Sequence, residues 1–236
     1  MKSLTKSTNF KNSVIQNLKL TSNTAFYKGI IVVLIISLFT FLTSCKKDYG
    51  DVITNELNLA QFTSVSNSGE ANISIEYGTT QMLEATGNVQ ILDRIKANVT
   101  DYNLDLDLKD GIYQDYELSY RITIPIIEKV KIKGSGNIDI SDFNQTENLS
   151  LDISGSGGIT FFAFPNIDRI DVDIAGSGSV IGQSSIDSLQ NLSIDISGSG
   201  MYSAYTIKAK NCNVDIDGSG NASVYAINNL DVDIAG

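Results

Sequence analysis

The sequence contains no histidine, no tryptophan, two cysteines and two prolines. Without histidine, a Ser-His-Asp triad cannot be assembled, and zinc sites lose their commonest neutral ligand. Two cysteines allow at most one disulfide, and Cys45 is assigned another role below. Cys212 is then left alone, so no disulfide framework is expected within a monomer. Helical periodicity is absent except across residues 92–98. Only one long apolar run exists, residues 30–42. Acidic residues are missing from the first 47 positions.

The N-terminus is built for export. Residues 1–29 carry five lysines, Lys2, Lys6, Lys11, Lys19 and Lys28. The apolar run that follows, IIVVLIISLFTFL, has 13 residues. As a helix it would be about 20 Å long, short of the roughly 30 Å hydrocarbon core. A basic stretch before a short apolar segment reads as a secretory signal, here residues 1–44. Leu42-Thr43-Ser44-Cys45 resembles a bacterial lipobox, making Cys45 the expected lipid attachment site. Lys46-Lys47-Asp48 is similar to the tether of Bacteroidetes lipoproteins, and residues 45–57 are read as a polar tether. A transmembrane anchor with an incidental cysteine is the alternative. The expected location is the cell envelope, at the outer membrane through the lipid, facing either the periplasm or the outside.

All 27 acidic residues lie in 45–236, against twelve basic ones, so this part has a formal net charge of −15. Nucleic-acid binding needs a basic face and is disfavoured. Tight contact with anionic lipid heads is disfavoured for the same reason. Contact with the membrane is expected through the anchor.

The second half repeats. Gly-Ser-Gly recurs at 134–136, 155–157, 176–178, 198–200 and 218–220, spaced by 21, 21, 22 and 20 residues. A sixth unit begins at Gly236, where the sequence stops. A stretch of alternating apolar residues precedes each triplet: a short VKIK, then LSLDIS, IDVDIA, LSIDIS and CNVDID, with LDVDIA before Gly236. Strict alternation specifies a strand. A second short strand follows each triplet. One such unit cannot bury its apolar face alone, but a stack can, so residues 130–236 read as a β-solenoid. The glycines are expected at tight corners. No helix and lysine follow them as in a phosphate loop, which argues against nucleotide binding. Cys212 falls in an apolar column and is read as packing rather than as a reactive thiol.

The first half alternates less regularly. Strands are expected at 71–77, 82–85, 91–99, 103–108 and 118–124, with turns at Ser68-Gly69, Gly78, Gly87-Asn88 and Asp110-Gly111. Residues 58–130 are therefore read as earlier, irregular coils of the same assembly, with a separate sandwich as the alternative. Phe62-Thr63-Ser64-Val65, ANISIEYG at 71–78, RITIPIIEKVKIKGSGNI at 121–138 and the Gly-Ser-Gly series together resemble the auto-transporter adhesin head GIN domain family. The resemblance covers about 62–236. It implies a right-handed β-helix of roughly 20-residue coils over 58–236 and an adhesive role at the cell surface. The family continues past the last glycine with another corner and a tyrosine-bearing strand. Against that pattern the sequence is either a fragment or leaves its terminal coil uncapped, with exposed strand edges.

Two columns could carry chemistry. Asp152, Asp173, Asp195, Asp215 and Asp233 each stand three residues before a glycine and point outward. Stacked roughly 4.8 Å apart, neighbours repel by about 0.9 kcal/mol even in water. Calcium capture by these oxygens is the metal-binding reading, and a solvated acidic face is the plain one. Phe162, Tyr205 and Tyr225 share the register seven after a first glycine and form a candidate glycan-binding strip. Lateral packing is the competing account.

Three function classes follow. The favoured one is a lipid-anchored, adhesin-like binding module for a glycan or surface protein. The second is a structural or self-assembling envelope scaffold; the sequence does not specify the oligomeric state. The third is a polysaccharide-cleaving β-helix enzyme, which the scattered Arg94, Arg121 and Arg169 and the lack of a unique carboxylate cleft argue against. No catalytic residue is assigned.

Overall fold

The computed structural model describes residues 47–236 apart from Ala163. The export signal and Cys45 lie outside the described residues. Strand β1 spans Val52–Glu56, β2 Ser64–Asn67, β3 Asn72–Tyr77 and β4 Met82–Asn88. A short helix, α1, Val89–Leu92, leads to β5 (Ile95–Thr100), β6 (Asn103–Leu108) and β7 (Leu118–Ile124). The remaining strands are β8 (Lys129–Ile132), β9 (Asn137–Ser141), β10 (Asn148–Ile153), β11 (Gly158–Phe161), β12 (Arg169–Gly176) and β13 (Ser179–Gly182). Three long strands complete the chain: β14 (Ile186–Gly198), β15 (Met201–Gly218) and β16 (Asn221–Ala235).

These strands line up on two faces. The first face runs β5-β6-β2-β8-β10-β12-β14 and continues into the second halves of β15 and β16. The other runs β1-β4-β7-β3-β9-β11-β13 and continues into their first halves. From β6 and β7 onward every pairing is parallel. Each coil is a first-face strand, a glycine corner, a second-face strand and a return, which is the β-solenoid expected from the repeat. The return sides of the last coils also pair: Ile186 lies opposite Ile207, and Lys208 opposite Tyr225.

The first half is coiled too, but out of chain order. The coil β6/β7 follows β2/β3 in sequence yet stacks on its far side, while β8/β9 stacks on the near side. Antiparallel strands then cover the far coil: β5 on β6, β4 on β7, and β1 on β4. Their reversed direction ends the parallel stack and blunts that end.

Two local expectations are corrected. The tether read at 45–57 is shorter, because Val52–Glu56 pairs with β4 and the Thr54 and Thr86 hydroxyls lie 2.8 Å apart. Tyr49 is also buried, its hydroxyl accepting from the Gln114 backbone N–H at 3.3 Å. Residues 91–99, read as one strand, are split. The end of α1 occupies Ile91–Leu92, and β5 starts only at Ile95. Ile91 is fully buried from the helix, and a buried apolar residue fits either a helix or a strand, so the alternation does not distinguish them.

The interior is made of apolar columns. Val65, Val130, Leu151, Val172, Ile194 and Val214 stack on the first face, with Leu104 beyond Val65. On the second face one column changes size sharply between coils. Phe161 is followed by Gly182 and Ala204, and a Cβ on Gly182 would lie 2.8 Å from both the Phe161 ring and Ala204. Phe143 and Phe164 stack along the return side at 5.7 Å, with Phe161 edge-on to Phe164. Cys212 is buried between Leu192 and Leu230, and burial pushes its thiol pKa up, as packing rather than reactivity requires.

The corner glycines have two jobs. Gly176, Gly198 and Gly218 have φ of +146°, +125° and +125°, which other residues rarely adopt. A Cβ on Gly198 would also lie 2.7 Å from the Gly176 carbonyl oxygen one coil below. That close approach lets the ladder continue around the corner, with Ser199 N–H donating to Gly176 O at 2.9 Å.

At β16 the columns open. Leu230, Val232 and Ile234 are 55, 47 and 63% exposed, while Cys212, Val214 and Ile216 in the preceding coil are 6% or less. Stacking, and not sequence pattern alone, buries these side chains.

Candidate functional site

The acidic column exists in the expected register. Asp152, Asp173, Asp195, Asp215 and Asp233 are direct cross-strand neighbours. At one end the next position is Lys131, and Asp152 is held by Lys129 at 2.7 Å and Lys131 at 3.9 Å. Lys133 reaches Asp105 at 3.5 Å, across the β2 coil on β6. Asp195, in the middle of the column, has no such relief. Its carboxyl is shifted above the usual range, first by desolvation and then by Asp173, Asp215 and Asp217. Among the described residues no set of three or more acidic side chains forms a metal-holding group. The carboxylates line up as a row without converging on a point.

The aromatic strip is less continuous than its spacing implied. Tyr205 and Tyr225 point outward and are 67 and 50% exposed, while Phe162 is half-buried. A register shift follows Ser203, which stands opposite Ser223, and places Tyr225 opposite Lys208 instead of Tyr205. The last coil is shorter, so positions equally distant from their glycines no longer coincide. Gln183 occupies the same register in the coil between Phe162 and Tyr205.

The hollows lie elsewhere, on the second face of the irregular half. Two of about 420 and 400 Å³ share Asn72, Thr86 and Ser119, so they form one groove. Its floor is made by the outward rows of β1, β4, β7, β3 and β9. One row runs Thr54, Thr86, Ser119, Asn72, Asn137, and the next runs Glu84, Arg121, Ser74, Asp139. Alternation along each strand sends these side chains out while Leu83, Ile122, Ile73 and Ile138 pack inward. A third hollow, about 270 Å³, lies beside Glu128 and Asp171.

One wall of the groove is the loop before β7. Tyr113 and Tyr116 meet edge to face at 6.1 Å. Several bonds fix this loop. The Tyr113 hydroxyl donates to Lys109 O at 2.7 Å, Glu117 N–H donates to the Asn88 side chain at 2.7 Å, and Tyr49 holds Gln114. Gly111 makes room for the Tyr113 ring, whose hydroxyl a Cβ there would meet at 2.7 Å. Burial, followed by Glu70, raises the Tyr116 hydroxyl pKa, so the phenol stays neutral. No ion pair or hydrogen bond joins the Arg121 guanidinium to another described residue.

Tyr113 and Tyr116 were not singled out by the repeat, because they lie outside it. The signal was present in the Asp110-Gly111 turn followed by two tyrosines. In the sequence Arg121 is one of three scattered arginines. What brings it together with Glu84 and Asp139 is the out-of-order stacking of β7. Arg94 and Arg169 do not join it, and Arg169 instead pairs with Asp171 at 2.7 Å.

The fold has relatives among solved structures. A putative adhesin from Parabacteroides distasonis aligns with a TM-score of 0.57 at 18% identity, covering 78% of this chain and 86% of that one. A putative lipid binding protein from the same organism aligns at 0.55 and 16%, covering 79% and 96%. A putative adhesin from Parabacteroides merdae aligns at 0.50 and 15%, covering 79% and 94%. At these identities the likeness establishes the fold. No curated protein matches the sequence. A family model does match, across residues 61–236, and by it this chain belongs to the family "Putative auto-transporter adhesin, head GIN domain".

Proposed function

We propose that this protein is a lipid-anchored envelope protein whose β-solenoid serves as an adhesin-like binding module. The observation that carries the reading is the polar groove at the irregular end of an otherwise filled stack. Its hydrogen-bonding groups are held in place by strands and its rings by a loop that hydrogen bonds fix, which suits recognition. The family name and the adhesins among the structural relatives support the same class. The lipobox at residues 42–45 supports anchoring through Cys45. A lipid ligand fits less well, because the interior columns are filled by side chains and the groove is floored with hydroxyls, amides and carboxylates.

Four experiments test this. Metabolic labelling with palmitate should mark the wild type and leave Cys45→Ala unlabelled and released from membranes. Protease added to intact cells should degrade the domain, with lysed cells as control; protection would remove direct adhesion. Release of reducing ends from polygalacturonate by the purified protein would move it to the enzyme class. Concentration-dependent end-to-end assembly, read by sedimentation, would favour the scaffold.

A further inference from the structure

The groove has a chemistry that narrows its ligand. Its two hollows are lined by five acidic residues, Glu70, Glu84, Asp115, Glu117 and Asp139, and by one basic residue, Arg121. The described chain around it is also acidic, so a polyanion is repelled over a long range. Uronic acids, sialic acids and nucleic acids are therefore poor occupants. Carboxylates and the free guanidinium fork suit hydroxyl groups well, since a hydroxyl both donates to an acid and accepts from an arginine. Ser74, Ser119, Thr86 and Asn72 extend that pattern along the floor. Neighbouring strands space these groups about 4.8 Å apart, which gives a linear array of donors and acceptors.

The wall adds the apolar component. Tyr113 and Tyr116 are half-buried and crossed edge to face, so part of each ring faces solvent in a fixed direction. Rigid aromatic surface gives contact area at low conformational cost. A protein partner would need an apolar centre to its interface. The groove's apolar surface is confined to the Tyr113 and Tyr116 wall with Val52 and Leu118 at one end, because Leu83, Ile122 and Ile73 beneath the floor are turned into the core.

We infer that this groove binds an uncharged oligosaccharide, with sugar faces against Tyr113 and Tyr116 and hydroxyls along the Arg121 and Asn72 rows. The inference rests on the binding-module reading and names the site and ligand class for it. It moves recognition away from the Tyr205 and Tyr225 surface.

The test uses the full chain in mild detergent, with calorimetry against cellohexaose, mannohexaose and chitohexaose. Oligogalacturonate and oligolysine are the charged controls. At least one uncharged sugar should bind, with an affinity unchanged by added salt. Tyr116→Ala should weaken it by about tenfold, the factor that ~1.4 kcal/mol produces. Tyr205→Ala combined with Tyr225→Ala, outside the groove, should bind like the wild type. Arg121→Ala should also weaken binding, and unchanged thermal melts would separate these effects from unfolding. Preference for oligogalacturonate would overturn the proposal, as would salt-sensitive binding of oligolysine alone. Sugar binding lost in the Tyr205 and Tyr225 double variant but intact in Tyr116→Ala would overturn the groove and leave the binding module standing. If no probe binds but labelled protein still decorates whole cells, the sugar proposal falls alone. If both fail, the binding-module reading falls with it.

Discussion

The regular coils after Lys129 and the irregular half before them use the same strand pairing for different ends. In the regular coils the strands leading into each corner pair position for position one coil away: glycine on glycine, aspartate on aspartate, isoleucine on isoleucine. Such a stack fills its own interior and presents ladders outward. The irregular half breaks the correspondence. The coil β6/β7 is inserted out of order, antiparallel strands are laid over it, and the loop before β7 is free to carry two tyrosines. Both large hollows are found there. Repetition gives this protein stability, and departure from repetition gives it a surface that differs from place to place.

The largest effect that could break this comparison is at a corner. Gly176→Ala places a side chain at φ +146° and within 2.6 Å of the Gly155 carbonyl oxygen. Strain and overpacking together should cost about 2–5 kcal/mol, read by urea unfolding. Gly50, with φ +82°, has only Val89 Cβ nearby at 3.7 Å. Alanine there should lose about 1–2 kcal/mol, from strain alone. Equal costs would mean that corner stacking matters less than the close contacts indicate.

Asn67 sharpens the comparison. Regular coils place isoleucine beneath the corner, at Ile132, Ile153, Ile174, Ile196 and Ile216, whereas the β2 coil has a buried asparagine in that register. Its amide donates to Ala71 O at 2.7 Å, and its side-chain oxygen accepts from Gly69 N–H at 3.2 Å. The irregular corner Ser68-Gly69-Glu70 uses a side chain to satisfy backbone groups. Asn67→Ile, the residue of the regular coils, should therefore destabilise by about 1–3 kcal/mol, read by thermal or urea melts. A neutral or stabilising result would show that the corner closes without it.

Tyr202 makes the converse case inside the regular coils. It fills a column otherwise held by Ile159 and Val180, fully buried, and its hydroxyl has no hydrogen-bond partner. Burial pushes its pKa up, so the phenol stays neutral at any physiological pH. Tyr202→Phe keeps the ring and removes the desolvated oxygen. It should stabilise by about 1 kcal/mol, a melting-temperature rise of a few degrees. A loss of stability would mean that the hydroxyl is satisfied by water that enters the column.

How legible each region was in the sequence follows from the same contrast. The repeat declared itself because Leu149, Ile170 and Leu192 recur at the coil length, so solenoid, inward columns and acidic row could all be read in advance. The irregular half offered alternation but no period. Nothing in Asn103–Leu108 or Leu118–Ile124 says that these strands stack beyond β2 and β3. The groove depends on that pairing, so its members looked scattered. Tyr225 is out of register with Tyr205 for a related reason: counting from the glycine assumes equal coils, and the last coil is shorter.

The smallest effect tests the acidic row itself. Asp152 and Asp195 occupy one column, but lysines of β8 flank only the first. The Asp195 carboxyl has a raised pKa in the folded chain, so the folded state holds a proton more tightly than the unfolded state does. Its favourable contribution is complete below the unfolded carboxylate value. That contribution disappears as pH rises through the higher folded value, leaving an ionised, repelled side chain at neutral pH. Asp195→Asn should therefore raise stability at pH 7, by no more than ~1 kcal/mol because the side chain is exposed, and should have little effect below pH ~3.5. Added salt should shrink the gain. Asp152→Asn should act in the opposite direction, losing up to ~1 kcal/mol with its lysine partners. Paired melts across pH and salt measure both. If calcium instead raises the wild-type melting temperature and Asp195→Asn abolishes that rise, the row is a cation site. If chelator leaves the melt unchanged, the row is a solvated face whose repulsion the lysines of β8 relieve at one end.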